Sequence, residues 1–550
     1  MRAFRIGPRK LATAASLAIA TGFVFAAGGG LALTIAVGLI LSSASIIAFL
    51  LVDTRRAIRH ELLAIRTIQD EFRETIPASK VVDAPNEARD FELRHEIHRS
   101  LADERQQAVR FQEDRAIREA EKWEDALWSG HKAPAIDRLQ RLARDHSVST
   151  RARSRALLAL AKWNAHVGDF ASAYENSVLA RVTHPGGVRA DDEQPALEAD
   201  FLAAIGRRVE ARELVLQLPH ADDPNLLLRL ANLHEDDARL GWLNELLCRE
   251  GFAPIGRRDR ALPLTIDNLK TRHSLNHNGQ VSTATVSVIM PALNAAGTIA
   301  TALRSLQEQT WGNLEVIVVD DGSSDTTVEI AQDFASRDPR IHVLPLERNY
   351  GVYTARNFGL RHVSGEIVTT HDADDWSHAQ KIEAQVRSLL ADETLVGTMS
   401  YATRVSEDLV AMSFSKPRKQ LITLNSSSIM VLRRVFDEIG FWDEVRASAD
   451  SEFLFRMRSF YGKEAVSLVH REAPLMFARF LDGSLTSAVD TGIFTLWAEG
   501  GARRQYKAAY TAWHKDPEFK AALPWNPRTD PRPFPCPPEL RIHRESVAGR

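Results

Sequence analysis

Short apolar runs alternate with amphipathic stretches between residues 284 and 500. VSVIM, at 286–290, is a β-rich apolar run, and a helical pattern with Ile299, Leu303 and Leu306 on one face follows it. The same order continues through LEVIVVDDGSSD, TVEIAQDFASR, IHVLPL, YTARNFGLRHV and GEIVTTHDADD. This alternation predicts an α/β fold with a largely parallel sheet that helices cover on both faces.

Two acidic clusters follow apolar runs in this region. Asp320 and Asp321 end one run, and Asp372, Asp374 and Asp375 follow another. Both clusters should face one crevice at the carboxyl edge of the sheet, although acids at a strand end are also common in turns. The glycine-rich fingerprints of dinucleotide-binding and P-loop proteins are absent from the sequence. Carboxylates without such a loop favour a divalent cation, Mg²⁺ or Mn²⁺, that binds an anionic ligand.

The longest apolar stretch, residues 11–52, contains no charged residue. One helix of that length would measure about 60 Å, twice the bilayer core of about 30 Å. The glycines at 28–30 divide the stretch into 11–27 and 31–52. Basic residues flank both outer ends, namely Arg2, Arg5, Arg9, Lys10, Arg55, Arg56 and Arg59. A transmembrane hairpin would keep both basic ends, including the N-terminus at 1–10, in the cytoplasm. A single span or a cleaved signal peptide is the alternative.

The residues between these two parts are helical in pattern. Residues 53–128 contain no glycine and predict a helical stalk, either paired with a neighbour or solvated. Residues 129–250 predict helix pairs. In this region a glycine is followed by an alanine five residues later, and this Gly–Ala pattern recurs every 38 residues. The pairs are Gly130–Ala135, Gly168–Ala173 and Gly206–Ala211. This pattern resembles tetratricopeptide repeats, whose usual period is about 34 residues, and a plain helical bundle is the alternative.

Composition limits the possible classes of protein. The 550 residues suffice for three or four domains, and a net charge of −3 gives no reason to expect a nucleic-acid partner. Only two cysteines, Cys248 and Cys536, argue against a disulfide framework and favour a reducing compartment. Residues 251–283 predict a linker. Residues 501–550 predict a C-terminal helix and a proline-rich tail that crosses the surface.

The motifs of residues 284–490 resemble family 2 glycosyltransferases of the GT-A fold. They run from VSVIMPALNAAGTIATALRSLQEQTWGNLEVIVVDDGSSDTT through NYGVYTARNFGL to GEIVTTHDADDW. The resemblance implies transfer of a sugar from a nucleotide diphosphate to an acceptor hydroxyl, with inversion at the anomeric carbon. Leu293 departs from the pattern, because the family often has Tyr there.

The resemblance also implies donor-binding and metal-binding roles at matching positions. The donor-binding positions are Pro291, Asn294, Asp320, Asp321, Arg356, Asp372 and Arg479. Among these, Asp321 would hydrogen-bond a uracil ring, and Arg479 would meet the diphosphate. Asp374 and Asp375 compete for the metal, and the sequence does not rank them.

Glycosyl transfer needs a general base for the acceptor proton, and a carboxylate is the usual choice. FWDEVRASADSEFLFRMRSFYG, at 441–462, resembles the acidic motif of the family. Asp450 aligns with the base, and Glu452 is the alternative. Glu452 and Arg456 are four residues apart and should pair on one helix face. His371 is expected to be structural and Trp376 to pack.

Together these features predict a membrane-anchored inverting glycosyltransferase with a UDP-sugar donor. The acceptor would be a saccharide, a lipid-linked saccharide or a protein, in the synthesis of cell-surface polysaccharide or glycoconjugates. The catalytic domain would face the cytoplasm from the bacterial inner membrane, and the helical repeats would bind a protein partner. The alternative is a membrane scaffold with an inactive transferase domain, against which the presence of Asp321, Asp372, Asp374 and Asp450 argues.

Overall fold

The structure is a computed structural model of the chain. It describes residues 107, 110–184, 193–218, 223–272, 284–413, 417–481, 501–516, 519 and 532–542. The predicted transmembrane hairpin at 11–52 and most of the predicted stalk at 53–128 lie outside these residues. Every helix among the described residues is too short or too polar to cross a membrane.

The first described part is helical. A helical stretch at 110–128 precedes seven helices, most of which pack against the next helix in the chain. Their bounds are α1 (Lys132–Arg144), α2 (Thr150–His166), α3 (Phe170–Thr183), α4 (Glu193–Ala204), α5 (Arg208–Gln217), α6 (Pro224–Asn232) and α7 (Asp236–Arg249).

The 38-residue spacing marks a repeated turn. The glycines at 130, 168 and 206 have φ angles of 92°, 85° and 84°, which glycine adopts without a steric penalty. Each lies between two helices, and the alanine five residues later is fully buried in all three copies. The pattern read from the sequence is therefore a structural repeat, and its assignment to the tetratricopeptide class stays a prediction.

A seven-stranded sheet, which we call the main sheet, lies at the centre of residues 284–481. Its strands are β3 (Val286–Ala292), β4 (Leu314–Asp320), β5 (Ile341–Pro345), β6 (Ile367–Thr370), β8 (Gly397–Met399), β12 (Met430–Leu432) and β13 (Val466–Leu468). Their order in the sheet is β13-β8-β12-β6-β3-β4-β5. Within this sheet only β12 is antiparallel to its two neighbours, so the sheet is mixed but mostly parallel. The helices of this region are α8 (Ile299–Gln307), α9 (Thr327–Arg337), α10 (Val352–Leu360), α11 (Lys381–Leu390), α12 (Arg434–Ile439) and α13 (Ala449–Tyr461).

A second sheet contains the strands β7 (Trp376–Ser377), β9 (Tyr401–Val405), β10 (Ala411–Met412), β11 (Ile422–Leu424) and β14 (Pro474–Arg479). Their order is β10-β9-β14-β7, and β11 also pairs with β9. Because β7 begins directly after the acidic cluster at 372–375, that cluster connects the two sheets.

The predicted linker at 251–283 is wrong for its described part, residues 251–272. This part forms a hairpin of β1 (Ile255–Arg257) and β2 (Leu269–Thr271). Ile255, Leu264 and Ile266 are buried in one apolar cluster with α6, α7 and the second sheet. These apolar residues follow neither a strand period nor a helix period, so the sequence pattern did not reveal them.

Arg229 of α6 is buried at the contact between the helical part and the second sheet. Its guanidinium donates to the Asp200 carboxylate at 2.9 Å and to the carbonyl oxygens of Arg418 and Lys419 at 3.0 and 2.7 Å. Nearby, the Asn225 side-chain oxygen accepts from two backbone N–H groups just before and at the start of β11. The helical part and the second sheet are therefore joined by buried hydrogen bonds as well as by apolar packing.

The C-terminal part begins with the predicted helix, α14 (Ala502–His514). The proline-rich tail does not simply cross the surface, because its described residues 532–542 bury Phe534, Cys536 and Leu540 in the core of the main sheet. In the sequence, the alternation of these residues with prolines is typical of a solvated extended segment. In the structure, Phe534 and Cys536 are buried, and Pro535 between them is exposed.

We expect Arg229→Met to lower the free energy of unfolding by about 3 kcal/mol, because it leaves a carboxylate and two carbonyl groups without their buried donor. Arg208→Met is the matched control. Arg208 forms an exposed ion pair with Glu235, so its loss should change stability by less than about 0.5 kcal/mol. Urea denaturation followed by circular dichroism measures both variants, and equal midpoints would contradict the proposed joint.

Candidate active site

The loops after β3 and β4 meet at the carboxyl edge of the main sheet. Pro291 is buried within β3, and Asn294 is exposed with a φ of 49°. The Asn294 side-chain oxygen accepts from the Ser324 N–H at 2.9 Å, and the Asn294 N–H donates to the Ser323 hydroxyl at 2.8 Å. The structure thus places two of the predicted donor-binding residues on one edge of the crevice.

Asp320 and Asp321 have different surroundings at this edge. The Asp321 carboxylate accepts from the N–H groups of Tyr350 and Gly351 at 2.7 and 2.8 Å. Burial, with a contribution from the Asp320 charge, raises the pKa of Asp321 to about 6. One Asp320 oxygen accepts from the Ser323 N–H at 3.0 Å, and the other is buried with no hydrogen-bond partner among the described residues. Asp321 therefore orders the loop before α10, whereas Asp320 stabilises the turn after β4 through its hydrogen bond from Ser323.

The acidic cluster at 372–375, which we call the acid loop, lies at the end of β6. Asp372 accepts from the Arg356 guanidinium at 2.9 Å. Burial and then the Asp372 charge raise the pKa of the half-buried Asp374 to about 6. Asp375 is buried, and its carboxylate accepts from the backbone N–H of Arg479 at 3.0 Å. Burial and the Asp374 charge raise the pKa of Asp375 well above its usual range.

These surroundings fit a divalent cation better at Asp374 than at Asp375. The Asp374 side chain is partly exposed and can reach a cation at the surface of the site, whereas Asp375 is buried and its carboxylate accepts a backbone hydrogen bond inside the protein. Among the described residues, no three His, Cys, Asp or Glu side chains form a ligand set on their own. Mg²⁺ sites commonly use only one or two carboxylates together with substrate phosphates and water, and the acid loop fits a site of that kind.

Arg479, predicted to meet the diphosphate, is engaged elsewhere. Its side chain is only 3% exposed and forms ion pairs with Asp267 and Glu407. Its Nε donates to the carbonyl oxygen of Asp374 at 3.2 Å. The predicted contact with a donor is therefore not supported, because the guanidinium already serves protein carboxylates and the backbone of the acid loop.

Asp450, the predicted base, lies in the first turn of α13. Its carboxylate accepts from the Tyr353 hydroxyl at 3.0 Å and from the Ser451 N–H at 2.8 Å. The Arg356 guanidinium lies 5.5 Å from the centre of the Tyr353 ring and binds Asp372. A continuous path, Asp450–Tyr353–Arg356–Asp372, thus joins the predicted base to the acid loop.

Two residues near Asp450 were missed in the sequence. Tyr353 is buried, and burial together with the Asp450 charge raises its pKa far above the usual range, so its hydroxyl stays protonated and donates. Tyr353 precedes Arg356 by three residues on α10, and residues at this spacing share a helix face. This spacing could have indicated from the sequence that Tyr353 lies beside Arg356. Arg503 of α14 also interacts electrostatically with Asp450, and burial lowers its pKa. No local pattern connects Arg503 with this site.

Glu452, the alternative base, has a structural position. Its carboxylate is fully buried and accepts from Arg456 at 3.0 Å, which confirms the predicted pair. The Nε2 atom of His514 lies 3.2 Å from its other oxygen. Arg456 also donates to the carbonyl oxygens of Ile439 and Phe441. Glu452 therefore fixes α13 against α12 and α14 and does not support the role of a base.

The two neighbours of the acid loop behave as expected. Both ring nitrogens of His371 are within hydrogen-bonding distance of protein atoms, the Asp372 carbonyl at 2.8 Å and the Ser377 hydroxyl at 2.9 Å. Burial lowers the pKa of His371 to about 4, so the ring is neutral and structural. Trp376 is buried and stacks on Phe477 with a centroid distance of 5.4 Å.

The C-terminal part contacts the segment that precedes α13, the helix that carries Asp450. Asp443, seven residues before Asp450, accepts from the Tyr506 hydroxyl at 2.6 Å and from Arg532. The Arg446 N–H donates to the carbonyl oxygen of Leu540 at 2.9 Å. The described residues of the C-terminal part, 501–516 and 532–542, therefore help to hold the segment that precedes Asp450.

Comparison with known proteins gives a family match for one part of the chain. Residues 287–432 match Glycosyl transferase family 2. The chain is 35% identical over 140 residues to WfgD of Escherichia coli, named UDP-Glc:alpha-D-GlcNAc-diphosphoundecaprenol beta-1,3-glucosyltransferase, covering 26% of this chain and 53% of WfgD. It is 34% identical over 116 residues to the glycosyltransferase GlyA of Streptococcus pneumoniae, covering 21% of this chain and 16% of GlyA.

The match to each curated relative is partial, since the chain spans between 16% and 53% of their lengths. Among solved structures, S. aureus TarS 1–349 in complex with UDP is 22% identical, with 36% of this chain and 61% of that chain covered and a TM-score of 0.30. The family match covers three of the motifs quoted from the sequence. Residues 287–432 are thus a glycosyl transferase family 2 domain.

Proposed function

We propose that the chain is an inverting glycosyltransferase that moves a sugar from a UDP-sugar to an acceptor hydroxyl. The observation that carries the proposal is the path from Asp450 through Tyr353 and Arg356 to Asp372. It connects a carboxylate suited to take a proton with the acid loop suited to the donor, across one crevice. An inverting transfer needs these two functions on opposite sides of one reacting carbon.

The proposed reaction is a single displacement. Asp450 takes the proton of the acceptor hydroxyl as the acceptor oxygen bonds to the anomeric carbon. The bond from that carbon to the diphosphate oxygen breaks, and the nucleoside diphosphate leaves with the electron pair. Tyr353 holds one Asp450 oxygen through a 3.0 Å hydrogen bond, which leaves the other oxygen for the acceptor.

Asp374, with Asp372 beside it, would hold Mg²⁺ or Mn²⁺ in this proposal. A bound cation of this type would neutralise charge on the diphosphate leaving group. Burial and then the Asp372 charge disfavour the ionised form of Asp374 and raise its pKa, and a bound cation would offset both effects. Asn294, just after β3, and Asp320, at the end of β4, would face the nucleoside.

The acceptor that we propose is a saccharide, with lipid-linked saccharides favoured over proteins. WfgD is named for a UDP-Glc donor and a diphosphoundecaprenol-linked acceptor, and this supports a role for the present chain in cell-surface polysaccharide synthesis. The uncharged stretch at 11–52 supports anchoring at the cytoplasmic face of the bacterial inner membrane. The helical repeats would then bind a protein partner.

The first test replaces the base. We expect Asp450→Asn to lower kcat for transfer by about a hundredfold or more, because an amide cannot accept the proton, while UDP affinity measured by calorimetry stays unchanged. Asp437→Asn is the matched control, since Asp437 is exposed on α12. Purified chain is assayed with a panel of UDP-sugars and lipid-linked acceptors. Equal transfer by wild type and Asp450→Asn would reject this mechanism, and no turnover of any donor by wild type would favour the inactive scaffold.

The second test removes the hydrogen bond to the base. We expect Tyr353→Phe to lower kcat by about tenfold to a hundredfold, because the Asp450 carboxylate loses the 3.0 Å hydrogen bond that fixes its position. The ring and its packing are retained, so donor KM should change little. A wild-type kcat in Tyr353→Phe would show that Tyr353 does not act on the base.

The third test ranks the two metal candidates. We expect MnCl2 to strengthen UDP binding to the wild-type chain and to Asp375→Asn, but not to Asp374→Asn. The buried Asp375 favours its neutral form and accepts one backbone hydrogen bond, which an amide oxygen also does. Calorimetric titration of UDP with MnCl2 or with EDTA measures the difference. The opposite ranking would assign the metal to Asp375.

A further inference from the structure

Asp267, outside the matched domain, is connected to the acid loop through one side chain. It accepts from both terminal nitrogens of Arg479, with Nη2 to Oδ1 at 2.5 Å and Nη1 to Oδ2 at 3.3 Å. Two-point binding of this kind fixes the plane of a guanidinium as well as its position. Glu407 binds only Nη1 of the same group.

Arg479 in turn fixes two consecutive residues of the acid loop. Its Nε donates to the Asp374 carbonyl at 3.2 Å, and its backbone N–H donates to the Asp375 carboxylate at 3.0 Å. The direction of the Asp374 carboxylate depends on the position of its own backbone. A displaced Arg479 would therefore change where that carboxylate points.

The position of Asp267 is itself set by the helical part of the chain. Ile266 is fully buried in the apolar cluster that contains residues of α6 and α7, and its N–H donates to the Glu407 carbonyl at 3.0 Å. The Thr301 hydroxyl of α8 also donates to Asp267 at 2.5 Å. Burial of Ile266, its backbone hydrogen bond and the hydrogen bond from Thr301 therefore fix the position of Asp267 independently of Arg479.

We propose that Asp267 is a positioning residue for the acid loop, acting through Arg479 to orient the Asp374 carboxylate toward a divalent cation. The proposal rests on the proposed function, because it assumes that Asp374 binds the metal that holds the diphosphate. It extends the site to a residue between the helical part and the transferase domain. Removing a residue that orients a metal ligand typically lowers metal affinity by about tenfold or more.

The test compares the full chain with Asp267→Asn and with Glu407→Gln as matched control. Both variants remove one carboxylate charge from Arg479, but Glu407 is 56% exposed and binds one nitrogen, whereas Asp267 is 38% exposed and binds two. The measured quantity is the ratio of UDP affinity with MnCl2 to UDP affinity with EDTA, from calorimetry. We expect Asp267→Asn to lower this ratio about tenfold and Glu407→Gln to leave it near the wild-type value.

The affinity in EDTA reports on the fold of the donor crevice, so a merely destabilised variant would lose both affinities together. If Asp267→Asn does not fold, Arg479→Lys takes its place, because lysine keeps the charge but lacks the fork that binds Asp267 and the Asp374 carbonyl. A wild-type ratio in the folded variant, or an equal loss in Glu407→Gln, would overturn the proposal for Asp267 alone. A ratio of one in the wild-type chain would overturn the proposed metal as well.

Discussion

Burial of the acid loop is the constraint on which the candidate site depends. Burial first, and then the charges of neighbouring acids, raise the pKa of Asp374 and Asp375. Nearby cations offset part of this effect. Arg356 binds Asp372, and the charges of Arg479 and Arg404 act on Asp374. Burial also lowers the pKa of Lys381 to about 8. The carboxylates are thus crowded where neither water nor the cations of the protein fully stabilise their ionised forms.

The helical part packs against the second sheet through one continuous core. A single apolar cluster contains side chains from α4 to α7, the β1–β2 hairpin and the second sheet. Arg229 adds buried hydrogen bonds from α6 to the carbonyl oxygens of Arg418 and Lys419. This contact connects the helices directly to the sheet whose strand β7 begins where the acid loop ends.

Local patterns predicted the parts of this structure that depend on neighbours in sequence. Alternating strands and helices, acids at strand ends, the Glu452–Arg456 pair and the glycine turns all arise from contacts within a few residues. The contacts that were missed join distant residues, as between Asp267 and Arg479, which are 212 positions apart. Their side chains have ordinary local surroundings, so neither the burial of 251–272 nor the engagement of Arg479 has a periodic signal. Only the fold brings them together.

The segment before α13 is held by hydrogen bonds to described residues of the C-terminal part, 501–516 and 532–542. These residues follow the described elements of both sheets in the chain. Asp443, Arg446 and Glu452 all bind atoms of that later segment. During synthesis, the crevice near the acid loop can assemble while the partners of the base side are still inside the ribosome. In a nascent chain, the sheet edge that carries the acid loop could therefore form before the segment that precedes α13 is held in place.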